Sequence, residues 1–252
     1  MNVVAVIPAR FASTRFPGKP LARILERPMI AWVIDAARRA SRVDRVLCAT
    51  DDERIAVAAR DAGAEVRLTR ADHATGTDRV AEAIRGIEAD VVLNLQGDEP
   101  TLDPKAVDRL VGAFDDPEVR MATLAIRGVT EEERNDPDVA KIVVDRRGDA
   151  IYFSRAAIPF RKARTAPAGG RDGRAWKHVG TYGFRGTALV EFAQAPRGEL
   201  EAAEDLEQLR ALTMGWKIRV VETLDEPVHV ERPEDVNRAE EKLRARSEGV
   251  AR

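Results

Sequence analysis

At 252 residues, 44% hydrophobic and 33% charged, the chain is long enough for one α/β domain with a sizeable core, and its composition excludes a disordered polymer. A formal net charge of −2 excludes a global basic field for nucleic acid or acidic lipid, so any anion binding must rest on local basic clusters. The single cysteine, Cys48, allows no internal disulfide and, within an apolar run, reads as a core residue of a cytoplasmic protein. No apolar run approaches the ~20 residues needed to span a bilayer, and Met1-Asn2 leads into a strand-like run without signal-peptide features.

Residues 3–7, Val-Val-Ala-Val-Ile, read as a buried strand. Pro28 opens a helix over 28–40, since proline suits the first helical turn. A strand over 45–50, a helix over 52–62 ended by Gly63, and a strand over 65–68 follow. A helix over 77–87, a strand over 90–95 and a helix over 104–114 complete the first half. The alternation predicts an α/β fold with a mostly parallel sheet and helices on both faces. Ligands of such sheets sit beyond the carboxyl ends of the strands, after Ile7, Ala49, Leu68 and Leu95. The second half is less regular, with strands at 121–129, 142–145, 150–153, 181–184 and 217–221 and helices at 200–213 and 233–246. Residues 165–174, rich in Gly, Pro and charge, read as a loop, and 247–252 as a frayed end. With no repeat or linker in view, 1–246 reads as one domain.

The loop after the first strand concentrates cations and hydroxyls: Ala9, Arg10, Ser13, Arg15, Gly18 and Lys19. Arginine forks and a lysine point charge can neutralise a polyphosphate, and a glycine lets backbone N–H groups approach it. The spacing is not that of a Walker A loop, and a solvated basic loop is the plainer alternative. The fourth strand ends in Gln96-Gly97-Asp98, where Asp98 is well placed for Mg²⁺, although Gly-Asp also favours a turn. Gln96 could donate to a second substrate. After the third strand, Thr75 or Thr77 can cap the next helix or take part in base recognition, while His73 alone signals little.

These stretches, taken with Ala49-Thr50-Asp51-Asp52, Tyr152-Phe153-Ser154-Arg155, His178-Val179-Gly180-Thr181-Tyr182 and Glu204-Asp205-Leu206-Glu207-Gln208, resemble the Kdo (3-deoxy-manno-octulosonate) cytidylyltransferases. The resemblance runs from Val3 to about Leu243. It implies a fold like that of nucleotide-diphospho-sugar transferases and transfer of CMP from CTP to a small acidic acceptor, with Mg²⁺. Under it, Ala9, Arg10, Ser13, Arg15, Lys19, His73, Thr75, Gly76 and Arg79 bind CTP, with Arg15 and Lys19 also catalytic. Asp98 and Glu231 hold the metal and act in catalysis. Gln96, Arg155, His178, Tyr182, Glu204 and Gln208 take the acceptor, and Arg161, from a stretch that departs from the family, is expected to join them. Taken alone, His178 and Tyr182 read as a half-buried strand, and Glu204 and Gln208 as a polar stripe on one helix face. The resemblance also implies a homodimer, built through an acceptor and dimerisation lobe at about 145–200.

Three departures bear on the acceptor. Glu231 stands where the family commonly has Asp, Phe160-Arg161-Lys162-Ala163-Arg164 replaces an acidic stretch, and Lys177 precedes His178 where arginine is common. Added cations suit a compact polyanion, so a phosphonate such as phosphonoformate stands beside Kdo as an acceptor. A CTP-binding sensor without catalysis is the non-enzymatic alternative. A dinucleotide-dependent oxidoreductase is disfavoured because no G-x-G-x-x-G follows the first strand, and a nucleic-acid-binding module because no basic helix is in view.

Overall fold

A computed structural model describes residues 1–13, 15–162 and 170–250 of the chain. Arg164 and residues 165–169 of the loop expected at 165–174 lie outside the described residues. The chain forms two compact units, Met1–Asp108 with Pro227–Arg252, and Arg109–Glu226.

The first unit begins with β1 (Val3–Ala9), a 3-10 turn (Lys19–Leu21), a hairpin of β2 (Arg23–Ile24) and β3 (Arg27–Pro28), and α1 (Met29–Arg39). It continues through β4 (Arg45–Thr50), α2 (Glu53–Asp61), β5 (Glu65–Leu68), α3 (Gly76–Ala83), β6 (Val91–Asn94) and the first part of α4 (Pro104–Gly112). Strand β1 lies parallel to β6 on one side and β4 on the other, and β4 is parallel to β5. Val3 to Ile7 are buried, as expected of a strand flanked on both sides and covered on both faces. Cys48 is fully buried in β4, and burial pushes its thiol up to about 12, which makes it an inert core residue. The caps follow the sequence: Asp52 accepts from the Arg54 N–H to start α2, and Thr75 and Asp78 form a capping box on α3.

The β2–β3 hairpin has no counterpart in the sequence reading. Its two central residues, Leu25 and Glu26, have φ of 45° and 62°, a turn that glycine or asparagine would have announced. Trp32 Nε1 donates to the Ile24 carbonyl at 2.8 Å, and the Leu25 N–H donates to Glu240 at 2.9 Å. Tertiary contacts thus hold the turn.

The second unit contains β7 (Met121–Ile126), α5 (Glu131–Asn135), β8 (Lys141–Val144), β9 (Ala150–Ser154) and β10 (Trp176–Arg185). After these come α6 (Gly186–Gln194), α7 (Glu199–Glu204), α8 (Gln208–Thr213) and β11 (Ile218–Glu222). Strand β10 runs antiparallel to β7 and β8, β8 antiparallel to β9, and β11 parallel to β7. The single helix expected over 200–213 is two helices, because Asp205 adopts a left-handed conformation with φ of 50°. Glu204 and Gln208 therefore do not share a helix face, which corrects the stripe reading.

The chain then returns to the first unit with α9 (Asp235–Val250). This helix continues through 247–250, where the sequence suggested fraying, and Ser247 Oγ donates to the Leu243 carbonyl at 3.0 Å. Among the described residues no helix is long and apolar enough to cross a membrane.

Lys141 is fully buried in the second unit, and its ammonium donates to the carbonyls of Asp136, Val139 and Arg155 at 2.8, 2.6 and 2.5 Å. A methionine there would fill similar space but leave three acceptors without a donor. Lys141→Met should destabilise the fold by about 2–4 kcal/mol in chemical denaturation, because unpaired buried acceptors cost about 1–3 kcal/mol each and partial relaxation recovers some.

Candidate functional site

Parallel strands put their carboxyl ends on one edge, and the first unit opens there into a cleft of about 270 Å³. Pro8, Ala9 and Arg10 enter from the end of β1, and Ser13, Arg15 and Lys19 from the loop beyond. His73 and Thr75 come from the turn before α3, Gly76 and Arg79 from its start, and Gln96, Gly97 and Asp98 from the loop after β6. His229 and Glu231 come from the returning C-terminal segment. The cleft thus gathers all nine residues assigned to CTP, with Gln96, Asp98 and Glu231.

Two glycines make this arrangement possible. Gly18 has φ of 71°, and a Cβ there would stand 3.0 Å from the Phe11 ring, on which the Arg54 guanidinium stacks at 3.5 Å. At Gly97 a Cβ would lie 2.9 Å from the Pro8 carbonyl oxygen, so only glycine lets the β6 loop pass so close to the end of β1. The neighbouring Asp98 carbonyl accepts from the Val230 N–H at 2.9 Å, and this bond brings 229–231 to the cleft.

Carboxylates and cations pair across the cleft. Lys19 Nζ is 2.6 Å from Asp98 Oδ2, with both side chains mostly buried, and Arg15 Nη2 is 2.5 Å from Glu231 Oε1 near solvent. Asp98 Oδ1 is buried without a hydrogen-bond partner and faces His229 Nδ1 at 3.4 Å. An orphaned carboxylate oxygen in a cleft fits a cation. No group of three or more metal-binding side chains exists among the described residues. Two carboxylates suffice for Mg²⁺ when substrate phosphates and waters complete its octahedron. His229 was not among the residues expected at the site, because its approach to Asp98 arises only in the fold.

The second unit holds the other expected residues in two linked groups. Tyr182 Oη donates to Gln208 Oε1 at 2.8 Å in a buried setting, and the His178 ring lies against Phe153 and Tyr182 at 5.3 and 5.5 Å. Glu204 accepts from Ser154 Oγ at 2.7 Å and the Arg155 N–H at 2.8 Å, while Arg155 Nε donates to the Glu204 carbonyl at 2.8 Å. Arg161, expected to be an acceptor cation, is instead engaged by Glu131 at 2.5 Å and Asp172 at 2.6 Å. Asp172 is held well below the usual carboxylate range, first by a hydrogen bond from Arg174 and then by Arg161. Lys177 pairs with Glu133 and Glu226, and Lys162 is exposed. The basic departures described here are thus largely answered by carboxylates of the same unit.

Residues 4–218 match the cytidylyltransferase family. A 3-deoxy-manno-octulosonate cytidylyltransferase from an Anaeromyxobacter species is 52% identical over 97% of this chain and 98% of its own length. One of the same name from Syntrophotalea carbinolica is 47% identical over 97% and 99%. Among solved structures, a CMP:2-keto-3-deoxy-manno-octonic acid synthetase complexed with CTP is similar with a TM-score of 0.89 and 40% identity, covering 98% of this chain and 100% of that one.

The His178 residue keeps some exposure, but its ring is enclosed, and burial pushes its pKa from 6.5 down to about 3. The folded protein therefore binds fewer protons here than the unfolded chain between those values. The stability this gives is complete above about pH 6.5 and is lost as pH falls towards about 3. The unfolding free-energy gap between wild type and His178→Gln should change steadily in favour of the variant from about pH 6.5 to about pH 4; a constant gap would show that the folded ring protonates normally.

Proposed function

The chain belongs to the cytidylyltransferase family, and we propose that it transfers CMP from CTP to Kdo, forming CMP-Kdo and releasing pyrophosphate. The observation that carries this reading is the cleft itself, where Arg10, Ser13, Arg15 and Lys19 face Asp98 and Glu231. Its cations suit a triphosphate, and its paired carboxylates suit the metal that accompanies one. The near full-length similarity to Kdo cytidylyltransferases supports the choice of acceptor.

In this reading CTP lies with its phosphates along the loop after β1 and its cytidine against His73, Thr75, Gly76 and Arg79. The anomeric hydroxyl of Kdo attacks the α-phosphorus in line. The new bond joins that oxygen to CMP, the α–β bridging bond breaks, and the hydroxyl proton leaves to solvent. Arg10, Arg15 and Lys19 offset the charge growing on the departing pyrophosphate. Asp98 and Glu231 would hold Mg²⁺, which supplies charge neutralisation and lowers the pKa of a bound oxygen. The Lys19–Asp98 and Arg15–Glu231 pairs keep both kinds of group in place before either partner arrives.

Gln96, Arg155, His178, Tyr182, Glu204 and Gln208 are proposed to take Kdo. Its carboxylate and hydroxyls call for a mixture of donors and acceptors, and a neutral His178 serves as a hydrogen-bond partner without adding charge. The phosphonate alternative rested on added cations, and the carboxylates around Arg161 and Lys177 remove that support. We also propose a homodimer assembled through β9, which among the described strands pairs only with β8 and carries the exposed Ile151. A cytoplasmic setting goes with the reading, since CTP is made there.

Pyrophosphate release should require both CTP and Kdo, and equal rates with UTP or ATP would overturn the cytidine assignment. Asp98→Asn should lower kcat by about a hundredfold or more with the fold retained, as expected for loss of preorganised charge stabilisation. Glu231→Gln should raise the Mg²⁺ concentration needed for half-maximal rate by about tenfold, and an unchanged Mg²⁺ titration would remove the metal role from that residue. Sedimentation at micromolar concentration should give a dimer that Ile151→Lys splits; a wild-type monomer would contradict the proposed assembly.

A further inference from the structure

Two basic side chains, His73 and Arg79, form the side of the cleft built by the start of α3, and both are mostly buried. A buried guanidinium needs a counter-charge, and an imidazole needs a partner that fixes which nitrogen carries the proton. Each finds one behind the cleft. Arg79 Nη1 donates to Thr69 Oγ1 at 2.6 Å and stands 3.1 Å from Asp51 Oδ1. That oxygen has no hydrogen-bond partner, so the contact with Arg79 is one of charge. His73 Nε2 lies 2.5 Å from Glu82 Oε2, and Glu82 Oε1 accepts from the Arg70 N–H at 3.3 Å. Neither Asp51 nor Glu82 lines the cleft.

We infer that Asp51 and Glu82 are positioning residues of the nucleotide subsite, holding Arg79 and His73 where the cytidine half of CTP meets them. Asp51 follows β4 and Thr69 follows β5, so the strand ends fix the guanidinium from two directions. Glu82 lies one turn beyond Arg79 on α3 and secures the imidazole together with the loop from Arg70. The Ala49-Thr50-Asp51-Asp52 segment thereby acquires a use: Thr50 is buried in the sheet, Asp52 caps α2, and Asp51 restrains a cation at the cleft. The plainer alternative is that Asp51 only neutralises a buried charge and Glu82 only anchors a loop. The two differ in which kinetic constant moves.

This inference rests on the CTP reading, and the experiment separates the two. Steady-state pyrophosphate release is measured for wild type, Asp51→Asn and Glu82→Gln, with CTP and Kdo varied in turn. Each variant removes a charge and keeps the side-chain shape. Each should raise the KM for CTP by about tenfold, the value of one charge-assisted contact, while kcat and the KM for Kdo stay within about twofold. Calorimetry with CTP alone should show the same weakening. Thr69→Val, which removes the neutral partner of Arg79, should raise the KM for CTP less than Asp51→Asn does and serves if Asp51→Asn fails to fold. Unchanged CTP constants in folded variants, or equal losses in CTP, Kdo and kcat, would overturn the inference while leaving the CTP reading intact. A wild type that neither binds nor turns over CTP would overturn both.

Discussion

Strand β1 is held between two parallel neighbours, and almost everything at the site depends on that constraint. Its apolar residues are buried on both faces, so neither edge nor face can shift without exposing them. Because β4 and β6 run in the same direction, the segments after all three strands emerge at one edge. The loop after β1, Asp51 and Asp98 are neighbours for that reason, although sequence separates them widely. The absence of a side chain at Gly97 then sets how closely the β6 loop can pass the end of β1.

The cleft balances its own charges. Lys19 answers Asp98, Arg15 answers Glu231, and Asp51 answers Arg79. A cluster of like-charged cations would repel itself and favour extended, solvated rotamers. Alternating signs keep each group near the place where a triphosphate and a divalent cation would arrive together. Under the proposed function, ligand binding would exchange these internal partners for external ones. The exposed Arg15–Glu231 pair is the easier of the two to separate, because solvent screens it, while the Lys19–Asp98 pair is held more firmly by burial.

Much of the first unit could be read from its residues. Short apolar runs bounded by glycine and capping side chains gave β1, β4, β5 and β6 and the helices between them within a few positions. Where the reading failed, the determinant was not local. Leu25 and Glu26 make a tight turn that their own preferences oppose, held by Trp32 and Glu240. Asp205 breaks a pattern that continues as helix on paper, and α5 is too short to show a period, although Thr130 and Glu133 carry its capping box. Residues that line the cleft were legible because the family's motifs mark them. Their supporting partners were not, since Glu82 behind His73 and Glu131 beside Arg161 meet only in the folded chain.

The first unit is also discontinuous, and its last piece completes the cleft. The Val228 N–H reaches Thr101 Oγ1 across 127 positions of sequence, and the adjoining residues deliver His229 and Glu231. Helix α9 fastens that piece, packing Ala239 and Leu243 with Val230 against Ile24 and Met29. A cavity opened in that small core, at Leu243 for instance, would therefore be felt at the cleft through residues 229–231 although no residue lining the cleft had changed.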